Sequence, residues 1–188
     1  MRSFRVPPFL HEVFGERQSP GSVLAILMGG GLLTAALAWT SPELTGPAVL
    51  WRTVLALLLI FDIFAGCIAN FTASTSNYYA VRSAKRLIFI SVHLHLPAIA
   101  WLLQTDTPLS VGVWAYTICG AFLVNAQVGK PSQPWIAGVL LSLGIGLISL
   151  LPFDTSYMRM ISLLFMVKVL FAFSVDHYGR ASGHGLQE

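Results

Sequence analysis

Charged side chains are scarce in this sequence: Asp, Glu, Lys and Arg make up 10% of its 188 residues, against 55% hydrophobic ones. Soluble domains carry about 25% charged residues, so this chain lacks the polar surface to coat a fold in water. Its mean hydropathy of +0.73 points the same way, to an integral membrane protein whose first partner is the lipid bilayer. Cysteine is scarce too. Cys67 and Cys119 both fall inside apolar runs, without the CxxC spacing of a zinc site or the density of a disulfide framework, and read as small packing residues. GxSxG, P-loop, HExxH and GxGxxG patterns are missing, which leaves catalysis by those routes without support and tilts the reading away from an enzyme. The formal charge of +3 comes from Lys and Arg placed between apolar runs, where topology accounts for them and nucleic acid does not.

What the chain has in abundance is long apolar runs. Six of them, at 22–40, 53–69, 87–103, 109–126, 135–153 and 160–175, approach the length that crosses about 30 Å of hydrocarbon as a helix. Pro42, Gly46-Pro47, Pro108, Pro131, Pro134 and Pro152 punctuate the gaps. The expected fold is an all-α bundle of six transmembrane helices forming one domain, 22–176, preceded by segment 1–21 and followed by a short tail, 177–188. The first segment mixes charges with Phe4, Phe9, Leu10 and Phe14 and has no continuous apolar core, so it reads as an interfacial or disordered stretch rather than a signal peptide. Arg2, Arg5, Arg17, Arg82, Lys85, Arg86, Lys130 and Arg180 fall on one side and Arg52 and Arg159 on the other, which predicts cytoplasmic termini in a cell membrane. Trp39, Trp51 and Trp101 then mark the outer interface and Trp135 the inner one. The same orientation removes the Asn70-Phe-Thr72 sequon from consideration.

Small residues predict where helices approach. Gly138, Ser142 and Gly146 form a small-xxx-small row, and Gly29-Gly30-Gly31 smooths the first span.

Continued as one helix at about 100° per residue, the stretch from Phe61 to Asn77 gathers Asp62, Gly66, Asn70, Ala73, Ser74 and Asn77 on one stripe. A carboxyl group in such a rod is costly against lipid, so the stripe is expected to face the bundle interior. Asp62, His93, His95 and Lys168 come to similar depths in three different spans, offering an acid, a base and two imidazoles to one layer. On a regular helix the two histidines diverge by about 200°, so only one is expected to face this layer. Pro97 lacks the N–H that would bond the His93 carbonyl, which predicts a kink and a free oxygen there. Asn70, Ser74 and Asn77, Asn125 and Gln127, and Asp176 and His177 end three spans on the cytoplasmic side, where they would line a vestibule.

Three functional classes follow. The first is a small transporter or channel-like protein for a proton, cation or small polar solute, with Asp62 responsive, His93 or His95 its relay and Lys168 the counter-charge. The second is a membrane enzyme or redox protein in which His93, His95, His11 or His177 holds haem or a metal. The third is an assembly subunit, in which an Asp62–Lys168 pair only fixes helix register and the partner is a second copy or a larger complex. The composition specifies no cofactor.

Overall fold

The computed structural model describes residues 3–46 and 49–179; Arg2, Arg180 and the rest of the expected tail lie outside the described residues. The chain opens with β1 (Phe4–Arg5), a one-turn helix α1 (His11–Phe14) and β2 (Arg17–Gln18). Long helices follow: α2 (Pro20–Thr40), α3 (Leu50–Asn70), the short α4 (Ala73–Ala80), α5 (Ser83–Val92), α6 (His95–Leu103), α7 (Thr107–Asn125), α8 (Gln133–Leu150) and α9 (Ser156–Met166). The last continues as a π-helical turn, Val167–Phe173.

Among the described residues, six helical segments are long and apolar enough to cross a membrane: Pro20–Thr40, Leu50–Asn70, Ser83–Leu103, Thr107–Asn125, Gln133–Leu150 and Ser156–Phe173. All six begin before the hydrophobic runs do, because polar residues and proline belong to first turns. Ser19 caps α2 by accepting from the Ser22 amide at 3.0 Å, with Pro20 next to it, and Pro108 and Pro134 occupy the first turns of α7 and α8.

The centre of the bundle is the sixth segment, of which 61% is buried, whereas the first is 17% buried and packs chiefly on α3. Met158, Ile161, Phe165, Met166, Val169 and Leu170 of α9 and its π turn have no exposed surface. Close approach depends on glycine where the structure demands it. A Cβ on Gly30 would lie 2.7 Å from the Ala65 Cβ, so α2 meets α3 across this contact as the glycine triplet implies. The row on α8 behaves differently from expectation: a Cβ on Gly138 or Gly146 would meet nothing within 4 Å, and Ser142 and Gly146 are exposed. The contact on that helix is made by Gly144 instead, against Met166 and Tyr116. Gly30→Leu is therefore expected to destabilise the detergent-solubilised protein by about 1–3 kcal/mol through overpacking. Gly146→Leu should leave its thermal unfolding unchanged, and a reversed order would refute this packing.

Residues 3–18 of the N-terminal segment fold against the bundle. Strands β1 and β2 pair antiparallel with Phe4 opposite Gln18 and Arg5 opposite Arg17, which adds a small hairpin to the all-helical expectation. It caps α4: Tyr79 Oη donates to the Glu12 carbonyl at 3.1 Å and Thr75 Oγ1 to the Val13 carbonyl at 3.1 Å. Glu16 pairs with Arg82 at 2.6 Å, and Glu12 with Lys85 at 2.7 Å. Burial, and then the charge of Glu12, push the Tyr79 phenol above its ordinary pKa, so it stays a donor. At the far end of the bundle, the Arg52 guanidinium lies 5.5 Å from the Trp51 ring centroid and 5.6 Å from that of Trp101.

Candidate functional site

Lys168 is the pivot of the charged layer. It sits in the π turn, a wide form of helix that recurs at functional sites because the extra residue redirects side chains. The side chain leaves the core past Gly66, where a Cβ would come 2.5 Å from Lys168 Cε, so this glycine opens the passage. Lys168 Nζ donates to Asp62 Oδ2 at 2.6 Å and to the Asp62 carbonyl at 3.2 Å, while Asn70 Nδ2 holds the Lys168 carbonyl at 3.3 Å. His95 Nε2 reaches the same carboxylate oxygen, Oδ2, at 3.2 Å. Three span-length segments thus meet on one atom.

The exposure of this cluster differs from expectation. The Lys168 side chain is 3% exposed and that of His95 22%, but Asp62 is 50% exposed. Asp62 ends a stripe of exposed α3 residues, Trp51, Leu55 and Leu58, so its carboxylate lies on the outer flank of the bundle rather than in its interior. The ammonium is buried and the carboxylate is its outlet.

The two histidines also depart from a regular helix. Helix α5 stops at Val92, His93 adopts φ −78° and ψ 70°, and α6 starts at His95. This break brings the two rings to 5.0 Å between centroids instead of turning them apart. The His93 carbonyl that Pro97 cannot satisfy accepts from Trp114 Nε1 at 2.9 Å, an indole supplied by α7. His93 donates from Nδ1 to the Phe89 carbonyl, so it stands behind the layer while His95 enters it. His95 Nδ1 is buried without a hydrogen-bond partner among the described residues.

Of the polar tips only Asn125 and the Asp176 backbone meet, and they do so in a plug rather than an open vestibule. Arg86, 3% exposed, donates from Nε to Asn125 Oδ1 at 2.7 Å and from Nη2 to the Ser174 carbonyl at 2.7 Å. Gln133 Nε2 shares that carbonyl at 2.9 Å, and its Oε1 accepts from the Asp176 amide at 3.1 Å. A ring column joins this plug to the layer: His93 packs on Phe89 at 3.9 Å, Phe89 stacks on Phe173 at 3.7 Å, and the Arg86 guanidinium lies 5.6 Å from the Phe173 centroid. Asn125 therefore belongs to the plug and not to an open vestibule. Arg86 entered the sequence reading only as an orienting charge and Gln133 not at all; the available signal for the plug was that Arg86, Ile90 and His93 recur at i, i+4 and i+7, on a face that is buried.

Ser74 and Asn77 leave the layer altogether. Helix α3 ends at Asn70, Thr72 caps α4, and Ser74 Oγ accepts from the Arg17 amide of the hairpin at 3.4 Å. The stripe is thus divided, with Asp62, Gly66 and Asn70 serving Lys168 while Ser74 and Asn77 line a separate cleft. Asp106, at the far end, was also unexpected: its buried carboxylate accepts from the Asp154 amide at 2.8 Å and from the Thr155 amide at 3.2 Å, tying two connections together.

Of the histidines proposed for haem or metal, His11 and His177 lie apart from the His93–His95 pair. His11 Nε2 donates to the Val6 carbonyl at 2.8 Å within the hairpin, and His177 Nε2 donates to the Ala172 carbonyl at 3.2 Å. Burial lowers the His177 pKa from the usual imidazole range. Among the described residues no group of three His, Cys, Asp or Glu side chains is placed to hold a metal ion. Cys67 is buried as expected, whereas Cys119 faces outward.

The fold and site together are those of an all-helical chain with the features of a multi-pass membrane protein, built around a cross-linked Asp62–Lys168–His95 cluster. Comparison with protein-family models, with curated proteins and with solved structures finds no match.

Proposed function

We propose that the protein is a small transporter or channel-like membrane protein in which Asp62 takes up and releases a proton or monovalent cation, His95 relays it and Lys168 is the counter-charge. The observation that carries this reading is the meeting of ammonium and imidazole on Asp62 Oδ2 while the carboxylate itself remains half exposed. Oδ1 receives no hydrogen bond from the described residues, so the acid keeps one oxygen for an exchangeable partner. Ionisable groups at such depth mark ion pathways because their cost is otherwise hard to sustain. His93 supports His95 from behind, and the Arg86 plug closes the end nearer the chain termini.

One observation favours a second reading as an assembly subunit. A carboxylate on the outer flank beside Leu55 and Leu58 is where a neighbouring helix would seat, and the pair with Lys168 would then fix register only. Proteoliposomes separate the two. An imposed pH or cation gradient should drive flux in vesicles loaded with a pH-sensitive dye, and Asp62→Asn should reduce it at least about tenfold, the effect of losing on the order of 1.4 kcal/mol in the rate-limiting barrier. Flux no greater than in protein-free vesicles would sink the transport reading.

A further inference from the structure

The cleft left by Ser74 and Asn77 has its own chemistry. It is an open cleft of about 910 Å³ between the N-terminal hairpin, the first turn of α2, the start of α4 and Tyr178. Arg17, Arg82 and Glu16 all line it. Arg82 is committed, through Nη2 to Glu16 at 2.6 Å and through Nη1 to the Tyr78 carbonyl at 2.6 Å. Arg17 has no acidic partner among the described residues; its Nη2 meets only Ser3 Oγ at 3.4 Å. It also stands directly opposite Arg5 in the hairpin register, a like-charge juxtaposition that destabilises a strand pair unless an anion compensates it.

The remaining wall suits an oxygen-rich guest. Ser19, Ser22, Ser74 and Asn77 contribute hydroxyl and amide groups, and the Asn77 side-chain oxygen is buried without a partner among the described residues. Position narrows the guest further. Ser19 caps the first span-length helix, Ser22 lies in its first turn and Thr72 is two residues beyond the end of the second, so the cleft lies at the ends of two membrane-length segments, the level of lipid headgroups. The hairpin that forms one wall carries Phe9 at 81% exposure and Val13 at 46%, apolar side chains suited to the bilayer surface. The first turns of α2 and α4 add their partial positive charge on the same side.

We infer that this cleft binds the phosphate of an anionic phospholipid with a hydroxyl-bearing headgroup, held by Arg17 and with the headgroup hydroxyls against Asn77 and the serines. The site is independent of the Asp62 cluster.

Native mass spectrometry of the full chain released from nanodiscs of mixed phosphatidylcholine and phosphatidylglycerol tests it. The parent should retain phosphatidylglycerol preferentially, and Arg17→Gln should lower the retained ratio about fivefold, as expected for one basic contact. Arg159→Gln, at the opposite end, should not change it, and circular dichroism should show both variants folded. Equal retention by the parent and Arg17→Gln would overturn the site. In a second arm, glycerol 3-phosphate and inorganic phosphate are added to the detergent-solubilised protein. Thermal stabilisation by either one without any phosphatidylglycerol preference would overturn the lipid assignment in favour of a soluble phosphate.

Discussion

Asp62→Leu is expected to damage folding more than Lys168→Met, and the two together less than Asp62→Leu alone. The asymmetry comes from burial. Removing the carboxylate strands an ammonium that is 3% exposed and retains only the Asp62 main-chain oxygen at 3.2 Å. Stranding one member of a buried pair costs about 3–5 kcal/mol. Removing the ammonium leaves a half-exposed carboxylate that still has His95 at 3.2 Å, and methionine fills the passage beside Gly66 that the lysine stem vacates. The double variant leaves no uncompensated buried charge, so it should recover much of the single loss. Unfolding of the four proteins in detergent, followed by circular dichroism, completes the cycle. A double variant as unstable as the sum of the singles would mean that the contact between Lys168 and Asp62 contributes nothing.

Much of this arrangement was legible in the sequence, and the part that was not has a common cause. Hydrophobic runs locate the six long helices, since length and polarity alone decide whether a segment can lie in lipid. Depth counting along those helices also brought Asp62, Lys168 and His95 to one level. Features that depend on a partner from elsewhere in the chain stayed hidden. Pro97 announced the break at His93, but not the partner of the freed carbonyl, which is the Trp114 indole 21 residues away. The ending of α3 at Asn70 depends on Thr72 capping a new helix that the hairpin then covers, so Ser74 and Asn77 could not be assigned by continuing a helical stripe. The outward heading of Asp62 reflects which side of α3 receives α9 and its π turn, and a π turn has no simple signature in residue type. The outer row of Gly138 and Gly146 shows the converse: small residues permit close packing without requiring it.

Arg86 separates the two levels of reading most sharply. As one of several basic residues near helix ends, it would contribute only to orientation, and Arg86→Lys would be silent because lysine carries the same charge. In the fold it is 3% exposed and spans two acceptors, Asn125 Oδ1 and the Ser174 carbonyl, each at 2.7 Å. A planar guanidinium can hold both at once, whereas a single ammonium on a different stem cannot reproduce that fork. Arg86→Lys is therefore expected to destabilise the protein although charge is kept, and Arg86→Met to do so more strongly, by about 3–6 kcal/mol, since each of its two hydrogen bonds, made by a charged group, contributes about 1.5–3 kcal/mol. Gln133 still bonds the Ser174 carbonyl at 2.9 Å, so the loss should concentrate on Asn125. Asn125→Leu in the Arg86→Met background should then recover part of it by removing the orphaned amide. Thermal unfolding in detergent reads the series, and a cysteine at Thr45, an exposed site in the connection between α2 and α3, reports orientation in intact cells after Cys67 and Cys119 are replaced. Unchanged stability in Arg86→Lys would reduce the plug to ordinary solvation of helix ends. A stability loss with unchanged labelling at Thr45 would place the role of Arg86 in packing the bundle rather than in orienting it.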